Sequence, residues 1–323
     1  MSQTACHTTN ALALNASMRA DTRSSPPTSF LNGDPAVFRD LFDSRAYTFG
    51  HRLAGHPLFE RDKLLRLTHA MRQNPRDIFY DAGDVGVGQR WDAVPRTHLT
   101  PEELFERIET AGAWIILRRA DRFPEYAALL DQCIAEIEAL SGREWGPLMQ
   151  LKAAIIFINS PRRISSYHID RECNWLLQIA GEKVVHVFDK NDRTVLPEEE
   201  IERFWALDPN SAIYKPDCEN RATVVPLKPG DGVHIPVGAP HWVQNGDQVS
   251  VSLSINFHYK ESFRADIYRA NHYLRRFGFV PTPPGRSAIR DSFKRTVFRP
   301  MFGARNWLRR HSRGKESRMP NRG

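Results

Sequence analysis

The chain has 323 residues, 41% hydrophobic and 26% charged, an ordinary globular balance that excludes a wholly disordered chain, a collagen and a coiled coil. No run approaches about 18 apolar residues, so no helix is expected to span a membrane, and the apolar patch at 11–14 is too short for a secretory core. The net charge of +7 is uneven: residues 285–323 hold twelve Lys/Arg against two acids, which leaves −3 on the other 284 and assigns the basic character to a tail.

Residues 1–29 are rich in Ser, Thr, Ala and Asn, end in Ser24-Ser25-Pro26-Pro27, and read as disordered. An α-rich region follows over 30–145, and His51 and His56 fall within it. Thr100-Pro101-Glu102-Glu103 predicts a helix start, with Thr as N-cap, Pro at the first position and Glu at the third. A short apolar run, Ala113–Leu117, reads as a strand, and 124–140 carries apolar residues at helical spacing.

The pattern changes over 146–260. Strand-like runs at 153–158, 166–170, 175–179, 183–188, 222–227, 232–236 and 249–259 are punctuated by Pro, Gly, Asn and Asp, which predicts a β-barrel or sandwich core. Helical pattern returns over 261–310, broken near 281–285 and at Pro300, and 311–323 reads as a basic disordered tail. The four cysteines, Cys6, Cys133, Cys173 and Cys218, form no C-x-x-C pair, which fits a reduced, cytoplasmic setting.

Two segments carry metal chemistry. In His168-Ile169-Asp170, residues i and i+2 of a strand share a face, so a His and an Asp can hold one ion side by side. Gly230 to Asn245 has the spacing G-x5-P-x-G-x2-H-x3-N, with Gly and Pro making a tight turn and His241 facing inward. This stretch resembles the second conserved motif of the cupin superfamily. Together His168, Asp170 and His241 form a 2-His-1-carboxylate set, which leaves three coordination positions open and is diagnostic of non-haem Fe(II) oxygenases. On the last strand Ser250, Ser252, Ser254, Asn256 and His258 alternate with Val251, Leu253, Ile255 and Phe257. Because His241 is read as feeding directly into this strand, its polar face is expected to turn toward the barrel interior.

A further pattern runs Asp170-x3-Asn174-x3-Gln178-Ile179-x-Gly181-x-Lys183, with Asn256-Phe257 on the last strand and Pro229-Gly230-Asp231 before the turn. Over about 150–260 this resembles the JmjC-type oxygenases, most of all the asparaginyl-hydroxylase branch typified by the factor inhibiting HIF. The resemblance implies a mainly β fold with helical additions, a double-stranded β-helix of the jelly-roll, cupin/JmjC type. It also implies Fe(II), 2-oxoglutarate as cosubstrate and O2. Lys183 would bind the far carboxylate of 2-oxoglutarate, assisted by Ser165, and Asn256 and Asn174 would approach the same molecule. Ser165 lies three residues before His168, which reverses strand parity, so a bend must bring both to one side. His258 and the Gly-Ala-Pro before His241 depart from the pattern on the substrate side.

The implied function is a dioxygenase that hydroxylates a C–H bond of a protein side chain or small molecule, with release of succinate and CO2. The alternatives are a metal cupin that does not use 2-oxoglutarate and a non-catalytic binding protein on a cupin scaffold. His186 and His234 read as core or surface histidines, and Arg162 and Arg163 as solvated loop residues that could otherwise meet an anionic substrate. Ile289, Phe293 and Val297 recur every four residues among Arg290, Lys294 and Arg295, a basic amphipathic helix that would pack on the barrel or pair two copies as a homodimer. Trp307 and Leu308 follow among arginines, and the tail could contact an anionic membrane or nucleic acid.

Overall fold

The computed structural model describes residues 29–298, other than 91, 92, 94, 96, 147, 148 and 260–262. The expected disordered N-terminus (Ser29 apart) and the basic tail, with Trp307 and Leu308, lie outside the described residues. The strands are β1 (Leu31–Asn32), β2 (Tyr47–His51), β3 (Ile78–Ala82), β4 (Ala113–Leu117), β5 (Met149–Asn159), β6 (Ile164–His168), β7 (Cys173–Ala180), β8 (Lys183–Val187), β9 (Thr223–Leu227), β10 (Asp231–Ile235), β11 (His241–Asn245) and β12 (Ser250–Tyr259). The helices are α1 (Pro35–Leu41), α2 (Arg61–Met71), α3 (Pro101–Glu106), α4 (Pro124–Ser141), α5 (Glu198–Trp205), α6 (Phe263–Arg276) and α7 over 288–298.

Two antiparallel sheets build the expected jelly-roll. The larger runs β1-β2-β10-β7-β12-β5-β4-β3 and the smaller β6-β11-β8-β9. From β5 to β12 the chain switches sheets at every step except β8 to β9, which is the double-stranded β-helix. Apolar side chains from both sheets, among them Val185, Val225, Val233, Ile235 and Val243, meet between them. The outer face of the large sheet has a second core, where Ile156, Ile158, Trp175, Leu253, Ile255 and Phe257 pack with Leu130, Cys133 and Ile137 of α4. This packing decides the orientation of β12. Its apolar residues lie under the helices, while Ser250, Ser252 and Ser254 are fully buried on the opposite, inward face.

Local signals held where they were strong. Thr100 caps α3: its hydroxyl accepts from Glu103 N at 3.2 Å while Glu103 Oε2 accepts from Thr100 N at 2.7 Å. β4 occurs where the apolar run predicted it. The 30–145 region differs from the α-rich expectation because it also holds β1, β2 and β3, which with β4 extend the large sheet at both edges. His51 therefore ends a strand, and His56 caps a 3-10 turn. β1 has two residues and β3 alternates weakly, while β2 alternates over only five residues; pairing with distant strands rather than local pattern made them.

Two further readings are corrected. Arg163 is not a solvated loop residue: it is buried, its Nη2 donates to Asp81 Oδ1 at 2.5 Å and its Nη1 to Gly83 O at 2.7 Å. Its neighbour Arg162 is exposed and pairs with Asp247 at 2.6 Å. α7 forms as expected, but the side turned inward carries Asp291 and Lys294, while Ile289, Phe293 and Val297 are exposed. The amphipathic helix thus presents its apolar stripe outward. Asp291 accepts from Gly285 N at 2.7 Å and Lys294 donates to Thr282 O at 2.7 Å, and these bonds seat the polar side.

The Asp81–Arg163 pair links β3 to the turn before β6, and truncating one partner leaves the other buried and uncompensated. Asp81→Ala is expected to lower unfolding free energy by about 3–5 kcal/mol in urea titration. Asp247→Ala, which removes the exposed partner of Arg162, should leave the urea midpoint unchanged.

Candidate active site

β6 and β11 are neighbours in the small sheet, and His241 is the register partner of His168. Their ring centroids lie 4.1 Å apart. Asp170 follows two residues after His168, with Oδ2 3.6 Å from His168 Nε2 and 3.7 Å from His241 Nε2. One donor atom from each residue lies within 4.8 Å of the others, close enough for a single ion to join all three. His241 does not lead into the last strand, as the sequence suggested. It opens β11 of the small sheet, and a separate turn carries the chain to β12 in the large one.

The ring nitrogens are sorted by the backbone. His168 Nδ1 lies 2.7 Å from Ser166 O and His241 Nδ1 lies 3.0 Å from Ala239 O, which makes both Nδ1 atoms donors and leaves both Nε2 lone pairs for a metal. The turn before β11 is tied to the Asp170 segment by Gly238 N donating to Asp170 O at 2.9 Å. Gly238 has φ +71°, a left-handed conformation that a side chain would strain. Burial opposes ionisation of Asp170, but the His168 and His241 rings outweigh it and hold the carboxyl at about 2. Burial, with His168 beside it, pushes His241 down to about 4. For His168, burial is outweighed by the Asp170 carboxylate and the pKa rises. Bound metal would take the place of that proton.

The three residues open on a cavity of about 350 Å³ inside the barrel. Every other candidate from the sequence, Lys183, Asn256, Ser165 and Asn174, lines it too. Lys183 begins β8, is 4% exposed, and has neither an ion pair nor a hydrogen bond at its ammonium among the described residues. Burial alone lowers its pKa to about 7. The bend required for Ser165 is present: His241 pairs with His168 but Val243 pairs with Ser165, a register shift that inserts one extra residue in β6. Asn256 and Asn174 are register partners on β12 and β7. Ser254 joins them, accepting from Asn256 Nδ2 at 2.9 Å and donating to Asn174 Oδ1 at 2.9 Å. The same inward row continues through Ser252, which donates to Gln178 Oε1 at 2.7 Å.

Other cavity residues were not singled out by sequence. Trp114, Ile116 and Arg118 alternate along and just beyond β4 and form one wall. Their alternation was visible, but all of β4 is buried, so pattern could not say which side faced the cavity. Glu172 and His258 form a pair at 2.9 Å, and that bond raises the His258 pKa. His234 and His186 are placed as expected: His234 is buried with Nδ1 2.9 Å from Asn174 O, and His186 lies 2.6 Å from Glu219 and stacks on Trp242.

The family model of the cupin-like domain matches residues 101–265. The chain belongs to this cupin-like domain family. A search of curated proteins by sequence finds no match. Among solved structures, the crystal structure of Escherichia coli YcfD aligns with 16% identity and a TM-score of 0.51, covering 85% of this chain and 69% of that one. YcfD described as a ribosomal oxygenase in complex with cobalt and succinic acid aligns at 16% identity and TM-score 0.45, covering 83% and 66%. The complex described with cobalt and 2-oxoglutarate gives 15%, 0.45, 83% and 66%. The chain thus spans about two thirds of the length of these neighbours.

If His168, Asp170 and His241 share one ion, His168→Ala or His241→Ala should weaken Mn(II) binding by more than the roughly 10–100-fold typical of losing an outer-shell partner. His186→Ala, whose ring is taken up by Glu219 and Trp242, should bind Mn(II) like wild type in the same titration.

Proposed function

We propose that the protein is an Fe(II)- and 2-oxoglutarate-dependent dioxygenase that hydroxylates a C–H bond of a small molecule or protein side chain. The observation that carries this reading is Lys183. A buried ammonium without an acidic partner is costly, and here it lines the same cavity as the two imidazoles and one carboxylate. A dicarboxylate held by the metal at one end supplies the missing anion at the other. A metal cupin that does not use 2-oxoglutarate has no need of this lysine, and a non-catalytic scaffold needs neither group.

His168, Asp170 and His241 would hold the ion on one side and leave three positions for ligands. With iron and 2-oxoglutarate bound, the centre supplies O2-dependent oxidation of a C–H bond coupled to formation of succinate and CO2. Lys183 would receive the far carboxylate, with the Ser165 hydroxyl as a second donor. Asn256 and Asn174, held by Ser254, line the same cavity and would approach the same molecule. Trp114, Ile116 and Phe157 wall the cavity and exclude water.

Pairing of two copies through the C-terminal helices is the partner reading. Ile289 is 84%, Phe293 67% and Val297 51% exposed among the described residues. Ile289→Asp/Phe293→Asp should then shift the molecular weight seen by light scattering from dimer to monomer; an unchanged weight removes these helices as the contact. No helix among the described residues is long and apolar enough to cross a membrane. Cys133, Cys173 and Cys218 are free thiols, which supports a cytoplasmic setting.

The test is calorimetry with Mn(II) and 2-oxoglutarate, followed by succinate release with Fe(II) and O2. Lys183→Met should weaken 2-oxoglutarate by roughly 30-fold or more, the loss of one charge-assisted contact in a desolvated site. The pH dependence has a definite sign. Free Lys183 has its pKa at about 7, and the bound anion raises it. Affinity should therefore be flat below about pH 7 and fall about tenfold per unit above it, with one proton taken up per ligand bound. Proton uptake, read from heats in two buffers, should vanish in Lys183→Met. Equal affinity in wild type and Lys183→Met would return the lysine to a structural role.

A further inference from the structure

A second cavity of about 470 Å³ adjoins the first along β5 and the end of β12, walled by the segment before β3 and the one after β4. The two share Arg118, Ile155, Glu172 and Asn256, so the groove opens directly beside the candidate metal ligands. Its lining includes four arginines, Arg76, Arg118, Arg119 and Arg122. Two are neutralised locally: Arg122 by Asp77 and Arg119 by Asp121. Glu172 is taken up by His258. Arg118 has no acid partner or hydrogen-bond acceptor for its side chain among the described residues. Its guanidinium is held over the Phe79 ring, 5.4 Å from the centroid. Arg118 N donates to Asp77 O at 2.7 Å, which fixes the backbone at the end of β4.

We propose that Arg118 binds an anionic group of the substrate, a carboxylate or phosphate, and that an apolar segment of the substrate separates this group from the C–H bond presented at His168, Asp170 and His241. The wall beside Arg118 is apolar: Ile155 lines both cavities, and Ile116, opposite Phe157 in register, lines the inner one. Arg118 also lines the second groove, where Lys183 does not reach, so it can take an anion other than the one at Lys183. Lys183 begins a strand of the small sheet, and Arg118 follows β4 of the large one. A guanidinium held over a ring still offers a fork of donors that matches a carboxylate or phosphate edge. Arg76 adds positive potential at the rim and disfavours a cationic substrate. This inference rests on the proposed function and narrows it to acidic substrates, either a free organic acid or phosphate ester, or the side chain of an Asp-containing peptide.

The experiment compares probes on protein loaded with Mn(II) and 2-oxoglutarate. Binding of 3-phenylpropionate and 3-phenylpropyl phosphate is measured by calorimetry against the uncharged 3-phenylpropionamide. An Asp-containing hexapeptide is measured against its Asn and Lys counterparts. In wild type, at least one acidic probe should bind tenfold or more tighter than its neutral partner, and the tighter arm identifies the source. Arg118→Leu should abolish that preference and Arg118→Lys should retain part of it, while 2-oxoglutarate affinity is lost in Lys183→Met and kept in Arg118→Leu. An unchanged melting temperature shows that Arg118→Leu is folded. Neutral or cationic probes binding as well as acidic ones in wild type, or an acidic preference that survives Arg118→Leu, overturns the proposal. So does loss of 2-oxoglutarate in Arg118→Leu, which would make this arginine part of the cosubstrate site. Failure of wild type to bind Mn(II) or 2-oxoglutarate would instead sink the dioxygenase reading. The acid-against-amide comparison on unloaded protein still reads Arg118 in that case.

Discussion

The register of β6 against β11 is the constraint on which the candidate site depends. It places His168 across from His241 and so sets the distance between the two rings. A slip of one residue would turn every side chain of a strand to the other face. That slip would expel Val243 and break its packing with Val185, Val225 and Ile235 between the sheets. Hydrophobic packing therefore sets the metal geometry, although no apolar residue is a ligand. The one irregularity in the pairing is put to use. The extra residue in β6 lets Ser165 and His168 share a cavity that strict alternation would deny them.

A barrel interior this polar has to be held up from outside. Ser250, Ser252, Ser254 and Asn256 are buried and contribute little apolar surface, and Lys183 is buried with a charge that nothing in the described chain offsets. The serines are satisfied by Gln178 and Asn174, so they cost little. Lys183 is a standing cost of the unliganded protein. The compensating burial lies on the other face of the same strands, under α4 and the aromatic cluster of Trp145, Trp175 and Phe257. The large sheet thus works as a partition, apolar toward the helices and polar toward the cavity.

The N-terminal strands have a consequence for chemistry as well as for the fold. β4 and β3 continue the large sheet past β5, and the inward row of β4 continues the cavity wall from Trp114 to Arg118. The buried Asp81–Arg163 pair fastens this extension to the barrel. The arginines of the groove belong to the part of the chain whose net charge is −3, so the overall basicity of the tail said nothing about them.

Much of the site was legible before any coordinates. The spacing His168-x-Asp170 and the turn motif ending in His241 depend only on local geometry, since a strand puts i and i+2 on one side and Gly-Pro turns have fixed shapes. Lys183, Asn256 and Asn174 came instead from the resemblance to the JmjC-type oxygenases. The alternation of β12 showed that one of its faces was polar. What local pattern could not decide was which strand pairs with which. It merged β11 into β12, missed β1 to β3, placed Arg163 in solvent, and left Arg118 unnoticed. Each of these depends on partners far away in the chain: a strand buried on both faces has no alternation to read, an arginine looks the same in sequence whether an aspartate waits for it or not, and a helix with an apolar stripe does not say which side will be covered. The sequence by itself determined the ligand types and their local geometry. Only the tertiary structure decided the sheet order, the register and the cavity that bring them together, because those are set by long-range burial.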